Sequence, residues 1–431
     1  MHIQFQINVF KDLVTQYPSW VELQKYLESP EGGLFRVVDN TDDGEFCLIR
    51  YEKGTSKMDL PHSKWFRSVV WNTKTNRPVC VAPTKAATQE FPFKTLKDVS
   101  DANVICQELL DGFMINCFRV GDETLHITSR SKLNAAGKFY SNKSFRDLFL
   151  EAYTSTLEYF PVYIKTLIQN NSHDIVPPDS SRREVSVFYS FIVQHKEHRN
   201  VKPINNNRVY LVHRGIVYED GSVDFENIPE TVKGIMNIEP ITLEHLHEVK
   251  SSYAQIVATS NTSDQAELSE VQKWIRKQLV DRDWSFQGLV FKDDMGNRWR
   301  YRSEKYSAVK TLRGNSPNII ERFAQLYTQS LIVRYLEYYP EDKQLIVDHM
   351  KFMDIIIKIL YDNYVDLHIT KAVTADTVDK MYLPHLYSIH GIYLNQLKPS
   401  GRKVNFCEIK EYLHKQPWQR IVFLIKKLPK D

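Results

Sequence analysis

The 431-residue chain is poor in glycine and cysteine and has no long apolar run. It contains only 15 glycines and shows neither a P-loop nor a G-x-G-x-x-G fingerprint, which argues against a glycine-rich nucleotide-binding loop. The five cysteines include no C-x-x-C pair, so the sequence predicts neither a disulfide framework nor a thiolate zinc site. No stretch approaches the roughly 18 apolar residues of a membrane helix. We therefore expect a cytoplasmic protein with no membrane segment.

An excess of charge of either sign is also missing. The chain has 56 Lys and Arg against 53 Asp and Glu, which gives a formal net charge of +3. With 25% charged and 42% hydrophobic residues, this composition excludes a disordered tail and a strongly basic nucleic-acid coat. At roughly 150 residues per domain, the length predicts two or three folded domains.

The apolar pattern divides the chain into three predicted parts. Residues 1–30 have the spacing of a short helical segment. Residues 31–315 show short β-like runs between turn residues, with helical stretches near 141–170 and 263–280, which predicts an α+β fold with antiparallel sheets. Residues 316–431 repeat apolar positions at i, i+3 and i+4, which predicts an all-helical C-terminal domain.

The strongest turn signal lies within residues 105–118. Two apolar runs flank Asp111 and Gly112, and an Asp-Gly pair between apolar runs is typical of a β-hairpin. The pattern alone predicts a tight turn, and such turns lie mostly at the surface.

Five further segments with motif-like residues lie before and after this turn along the chain. They are FRSVVWN (66–72) before it, then HITSRSK (126–132), FYSFIVQH (188–195), FQGLVFKDD (286–294) and RWRYRSEKY (298–306). The ordered set, over residues 60–315, resembles the covalent nucleotidyltransferases: ATP-dependent RNA and DNA ligases and messenger-RNA capping guanylyltransferases. It is most similar to phage-type RNA ligases and to the RNA-ligase-like proteins of large DNA viruses. The resemblance implies an antiparallel-sheet, ATP-grasp-like ligase core, followed by a helical domain that selects RNA.

The first motif of that family is K-x-D-G, whose lysine attacks the α-phosphate of ATP or GTP. The matching residues here are Leu109, Leu110, Asp111 and Gly112. A leucine side chain has no lone pair that can attack phosphorus, so this site cannot form the usual enzyme–nucleotide bond. The resemblance therefore predicts that Asp111 and Gly112 remain as a turn without the catalytic lysine.

Two acidic positions of the family are also neutral in this chain. Ser190 stands in the acidic position of the third motif, and Gln287 replaces the glutamate that opens the fourth. Because Mg²⁺ prefers carboxylate oxygens, these replacements weaken any magnesium site. We therefore assign no metal ligand.

The basic positions of the family are retained. The fifth motif, K-x-K, appears as Arg300, Tyr301 and Arg302, and strand alternation places both arginines on one sheet face. Lys292 of the fourth motif can join them around a phosphate. The resemblance implies nucleotide or RNA binding at these positions: Arg67, Arg130, Gln287, Lys292, Arg300 and Arg302.

Three functions agree with this pattern. The favoured one is a degenerate RNA-ligase-like protein that binds nucleotide or RNA ends, either 5′-phosphate or 3′-hydroxyl, without self-nucleotidylation. The second is an active ligase in which Lys85 is the nucleophile and ATP and magnesium are the cofactors. The third is a structural or interaction component of a viral complex, located in the infected cell or in the virion.

Overall fold

The computed structural model describes residues 4–87, 91–121, 125–154, 182–226, 236–238 and 268–428. The chain forms two compact units, Met1–Ser307 and Ala308–Asp431. Of the two predicted helical stretches, residues 155–170 and 263–267 lie outside the described residues.

The largest sheet of the first unit follows the order β1-β11-β10-β9-β7-β8 and is antiparallel along that path. A short strand, β12 (Met236–Asn237), pairs in parallel with β10. The other strands of the sheet are β1 (Gln4–Ile7), β7 (Phe113–Val120), β8 (His126–Ser129), β9 (Glu184–Gln194), β10 (Arg208–Tyr218) and β11 (Val223–Glu226).

Two smaller antiparallel sheets complete the first unit. One follows the order β2-β3-β4-β5, and the other follows β14-β13-β6. The strands of the first are β2 (Arg36–Asn40), β3 (Phe46–Arg50), β4 (Val69–Asn72) and β5 (Arg77–Val81). The strands of the second are β6 (Ile105–Glu108), β13 (Gly288–Lys292) and β14 (Arg298–Arg302).

Helices cover the outer faces of these sheets. The helices of the first unit are α1 (Val9–Gln16), α2 (Trp20–Glu28), α3 (Leu96–Asp101), α4 (Phe145–Thr154) and α5 (Glu270–Val280). Ser144 caps α4, because its hydroxyl accepts a hydrogen bond from the Asp147 amide. Trp274 of α5 packs with Leu289 and Phe291, which fixes the buried face of the three-stranded sheet.

Helix α6 (Glu304–Arg313) leads into the second unit, which has its own apolar core. The helices that follow are α7 (Ile319–Thr328), α8 (Ile332–Tyr338), α9 (Lys343–Tyr364), α10 (Leu383–Ile392), α11 (Phe406–His414) and α12 (Trp418–Lys427). None of the helices in the described ranges has both the length and the apolar character that crossing a bilayer requires.

Antiparallel sheets with a helical C-terminal region are thus confirmed, but the predicted hairpin at 105–118 is wrong. Strand β6 pairs with β13, whereas β7 pairs with β8 and β9. The two apolar runs therefore belong to different sheets, and the Asp-Gly pair carries the chain from one to the other. Asp111 is accordingly only 5% exposed, not a surface turn residue.

Candidate phosphate-binding site

The register of the three-stranded sheet sets the geometry of the site. Lys292 lies opposite Arg298, Val290 opposite Arg300, and Gly288 opposite Arg302. Residues directly opposite in an antiparallel pair project from the same face, and alternate residues along a strand lie about 7 Å apart. The three arginines therefore form a row of about 13 Å on the face that carries Lys292.

The predicted nucleophile position lies at one end of this sheet. The Leu109 amide donates to the Gly288 carbonyl at 2.8 Å, which continues the β6–β13 pairing beyond Glu108. Because Gly288 also pairs with Arg302 on its other side, Leu109 and Arg302 lie on the two strands that flank Gly288. A lysine side chain is missing at this position, while the cations on the neighbouring strands are present.

Arg67 and Arg130 approach the same row from outside the sheet. Arg67 lies just before β4, and one of its guanidinium nitrogens donates to the Pro83 carbonyl at 3.4 Å. Burial, followed by the charges of Arg298 and Arg130, lowers the pKa of Arg67 to about 9. Arg130 directly follows β8 and is exposed. The structure therefore brings together a cation cluster, which we define as Arg67, Arg130, Lys292, Arg298, Arg300 and Arg302.

Lys292 is the one lysine of this cluster, and its pKa is strongly lowered. Its side chain is 9% exposed, and burial followed by the charge of Arg298 lowers its pKa to about 7. No hydrogen bond or ion pair with another described residue is recorded for its amino group. Lys292 and Arg298 line a cavity of about 40 Å³, together with Glu226 and Asp293.

Ser190, in the acidic position of the third motif, already has polar partners. Its hydroxyl donates to Asn116 Oδ1 at 2.7 Å and lies 3.0 Å from His213 Nε2. Nε2 is also 3.2 Å from the Val81 carbonyl, so this nitrogen carries the proton. Burial, followed by the charges of Lys292 and Arg298, lowers the pKa of His213 to about 3. Neutral polar groups, Ser190, Asn116 and His213, thus lie where the nucleotidyltransferases of the resemblance have an acid.

Asp111 connects the crossover at 109–112 to a distant loop. Its carboxylate accepts from Asn200 Nδ2 at 2.8 Å and from the amides of Val201 and Lys202, both at 2.9 Å. A side chain on Gly112 would meet the Val193 carbonyl at 2.5 Å, so only glycine fits there. Both residues therefore have a structural role in this chain.

Gln287 and the neighbouring residues do not provide a carboxylate cage. The Gln287 side chain is 8% exposed and directly precedes β13. Within the described ranges, no group of three or more His, Cys, Asp or Glu side chains is placed to hold a metal ion. The described residues therefore form no ready-made carboxylate cage for a divalent cation.

Lys85, the alternative nucleophile, lies at the edge of the cation cluster. Its amino group is 4.8 Å from the centre of the Tyr51 ring. Tyr51 also interacts electrostatically with Arg67 and Arg300. Tyr51 therefore neighbours both Lys85 and the cation cluster, which places Lys85 near the cluster.

Arg298 is the site residue that the motif comparison missed. It is the third member of the row, one of its guanidinium nitrogens donates to the Thr84 carbonyl at 3.0 Å, and its buried Nε has no partner among the described residues. Burial and the charge of Arg300 lower its pKa to about 10. The alternation Arg298, Arg300, Arg302 in RWRYR was the available signal, because all three positions share one strand face.

Comparisons with known proteins give only distant similarity. No family model matches the chain, and no curated protein matches it. Among solved structures, it is similar to variants of an RNA ligase from Naegleria gruberi. One, with ATP and Mn, is 13% identical over 52% of this chain and 57% of that chain (TM-score 0.24). Another, with AMP and Mn, is 15% identical over 52% and 56% (TM-score 0.25). This chain thus spans little more than half the length of that ligase.

A further similar structure is an archaeal ATP-dependent RNA ligase. It is 8% identical to this chain, with 77% of this chain and 73% of that chain covered and a TM-score of 0.33. Similarity at this level does not establish a common fold. The structural neighbours are thus ATP-dependent RNA ligases at low TM-score and low identity.

Proposed function

We propose that this protein has an RNA-ligase-like nucleotidyltransferase core that binds nucleotide or RNA ends and forms no covalent nucleotide intermediate. One observation carries the proposal. Leu109, which the resemblance aligns with the motif lysine, pairs with Gly288 of β13, while Lys292, Arg300 and Arg302 lie together on one face of the same sheet. The basic residues that can bind phosphate are therefore retained, whereas the lysine needed for nucleotide transfer is missing.

Phosphate is the ligand that suits the retained residues. Guanidinium groups bind phosphate oxygens through paired, charge-assisted hydrogen bonds, and an ammonium group adds a compact positive charge. Besides Arg298, Arg302 also has a buried Nε without a partner among the described residues. Phosphate oxygens can satisfy these donors, which supports a site for nucleotide phosphates or for the 5′-phosphate of RNA.

Transfer chemistry needs groups that this site lacks. The nucleophile would have to attack the α-phosphate while pyrophosphate leaves, and a divalent cation normally stabilises the charge that develops. Leu109 provides no nucleophile, and Ser190 and Gln287 provide no carboxylate. This supports catalytic degeneracy as part of the proposal.

An active ligase is the second candidate, because Lys85 lies at the edge of the cation cluster. In that case Lys85 would attack the α-phosphate of ATP, and magnesium would be required. The finer parts of the resemblance also stay proposals: a relation to proteins of large DNA viruses, protein partners in a viral complex, and a cytoplasmic or virion location.

The binding proposal predicts salt-dependent recognition of RNA ends. We expect fluorescence anisotropy to show tighter binding of a 5′-phosphorylated oligoribonucleotide than of the same oligonucleotide with a 5′-hydroxyl. The affinity should fall linearly with salt on a log–log plot, because phosphate contacts release counterions. Arg300→Gln should lower the magnitude of that slope by about 0.7, the contribution of one single-strand phosphate contact.

Arg276→Gln is the matched control for this experiment. Arg276 is an exposed residue of α5, the helix that packs on the opposite face of the three-stranded sheet. This variant should bind like the wild type. Equal affinity for both RNA ends would contradict recognition of the 5′-phosphate, and no binding of either RNA or of ATP would contradict the proposed function.

Restoring the motif lysine alone is not expected to restore transfer. Leu109→Lys supplies a nucleophile, but Ser190 and Gln287 still lack the carboxylates that favour a divalent cation. Incubation with α-labelled ATP and magnesium should therefore leave this variant unlabelled on a denaturing gel. Labelling of the single variant would show that these two neutral replacements do not block the reaction.

A further inference from the structure

A groove with a volume of about 410 Å³ lies between α9 and α11 of the second unit. Its lining combines apolar and charged side chains from one turn of each helix, because helical residues three and four positions apart share a face. Clefts of this size are within the range that proteins use to bind ligands. The lining residues are Asp354, Ile357 and Lys358 of α9 and Phe406, Cys407 and Lys410 of α11.

The floor of this groove is apolar and partly uncovered. Phe406 is 49% exposed, although it is the first residue of a helix that packs on the core of the second unit. Its ring stacks on that of Tyr361, with the ring centroids 4.5 Å apart. The buried side chain of Ile357 also lines the groove. Because the Phe406 ring is already held by a second ring, little further conformational entropy is lost when another apolar side chain packs on it.

Two exposed lysines, one on each helix, flank this apolar floor. They are Lys358 of α9 and Lys410 of α11. Within the part of the chain that the structure describes, neither amino group has a recorded hydrogen bond or ion pair. The nearby Arg402 instead pairs with Glu408. Both walls of the groove therefore carry a positive charge that is complementary to an acidic ligand.

Carboxylates of a protein suit this groove better than the phosphates of a nucleic acid. Arginine is the residue that binds phosphate oxygens in pairs, and the lining of this groove includes none among the described residues. The carboxylate of Asp354 repels a phosphodiester chain, whereas it can accept a hydrogen bond from a peptide N–H. The aliphatic Ile357 at the floor likewise suits a leucine or isoleucine side chain.

We propose that the groove between α9 and α11 binds an acidic amphipathic helix of a partner protein. Apolar side chains of that helix pack on Phe406 and Ile357, and its flanking carboxylates pair with Lys358 and Lys410. A groove between two helices accepts the side-chain ridge of a third, whose anchoring residues recur at i and i+4. The proposal goes beyond the proposed function and does not depend on it, because it concerns residues of the second unit only.

Alkylation of Cys407 by iodoacetamide in the native full-length chain measures occupancy of the groove. The other four cysteines are at most 2% exposed, so Cys407 reacts first. The probe is a helical peptide with leucine at i and i+4 and glutamate at the flanking positions. At ten times its Kd, measured by fluorescence anisotropy, it should slow the alkylation about tenfold, because only the free protein reacts. A counterpart with lysine in place of every glutamate should not protect Cys407.

Two variants and one control locate the bound peptide. Combining Lys358→Glu with Lys410→Glu should weaken binding of the acidic peptide by about tenfold or more, because two attractions become repulsions. Phe406→Ala should weaken it by about tenfold, because an aromatic anchor is lost. The matched control combines Lys371→Glu with Lys380→Glu, two exposed lysines between α9 and α10, and should bind like the wild type. Thermal unfolding establishes that each variant is folded.

Protection of Cys407 by the acidic peptide that is lost in both groove variants supports the proposal. Equal binding of the acidic and basic peptides, no binding of either, or binding that leaves Cys407 fully reactive would overturn it. Wild-type affinity in both groove variants would also overturn it. Stronger protection of Cys407 by a single-stranded oligoribonucleotide than by the acidic peptide would assign the groove to nucleic acid and overturn the proposal. These outcomes leave phosphate binding by the cation cluster unaffected.

Discussion

Lys292→Met is expected to stabilise the folded protein at pH 6 by an amount on the order of 3 kcal/mol. Lys292 is buried and its pKa falls to about 7, whereas an unfolded lysine titrates near 10.4. Between these two values the unfolded state binds more protons, so the free energy of unfolding of the wild type rises with pH. The destabilisation by Lys292 is complete below pH 7 and is lost as the pH rises toward 10.4.

Urea unfolding of the wild type and the methionine variant at several pH values measures this effect. The difference in unfolding free energy should be largest at pH 6 and shrink above pH 7. The exposed Lys196→Met serves as the control and should change stability by less than about 0.5 kcal/mol at every pH. A wild type as stable as the methionine variant at pH 6 would show that Lys292 is not an uncompensated buried cation. A costly buried charge beside a cavity is the expected mark of a binding residue.

Asp111→Ala should destabilise the protein by about 3 kcal/mol. The carboxylate accepts hydrogen bonds from the amides of Val201 and Lys202, and its loss leaves these donors without their partner at a buried crossover. Asp111→Asn should also be destabilising: both amides donate to one carboxylate oxygen, so the new side-chain NH2 group would face Asn200 Nδ2, which is itself a donor. Chemical denaturation at pH 7 measures both effects.

Asp294→Ala is the control for the aspartate substitutions, since Asp294 is exposed in the turn after β13. It should leave the unfolding free energy unchanged within about 0.5 kcal/mol. Wild-type stability of Asp111→Ala would mean that the crossover does not depend on this carboxylate, and that Asp111 is retained for another reason.

Local patterns predicted the elements well where the pattern was long. The run around Ser190 is strand β9, and the periodic segments after residue 316 are helices. These predictions depend only on apolar period and turn residues, which act over a few residues. The segment with the strongest turn chemistry, at Asp111 and Gly112, was nevertheless assigned to the wrong structure.

The physical reason is that strand pairing is a long-range property. An Asp-Gly pair favours a turn, but the partners of β6 and β7 are set by residues far along the chain, in β13 and β9. The loop at Asn200 that holds the Asp111 carboxylate lies about ninety positions away in sequence. Local propensity carries no information on such contacts.

The candidate site was likewise only partly predictable. Ordered motifs pointed to Arg67, Lys292 and Arg300, and the structure places all three in the cation cluster. Their roles as ligand-binding residues stay predictions. The perturbed pKa of Lys292 and the polar network of Ser190 depend on burial and on groups from other strands, which no single segment reveals.

The proposed site binds phosphate without covalent transfer of a nucleotide to the protein. The most direct test incubates the purified protein with α-labelled ATP or GTP and Mg²⁺ or Mn²⁺, followed by denaturing electrophoresis. We expect no label on the protein under conditions in which the same preparation binds 5′-phosphorylated RNA. A covalent label that survives denaturation and disappears in Lys85→Met would contradict it and would identify an active ligase with a relocated nucleophile.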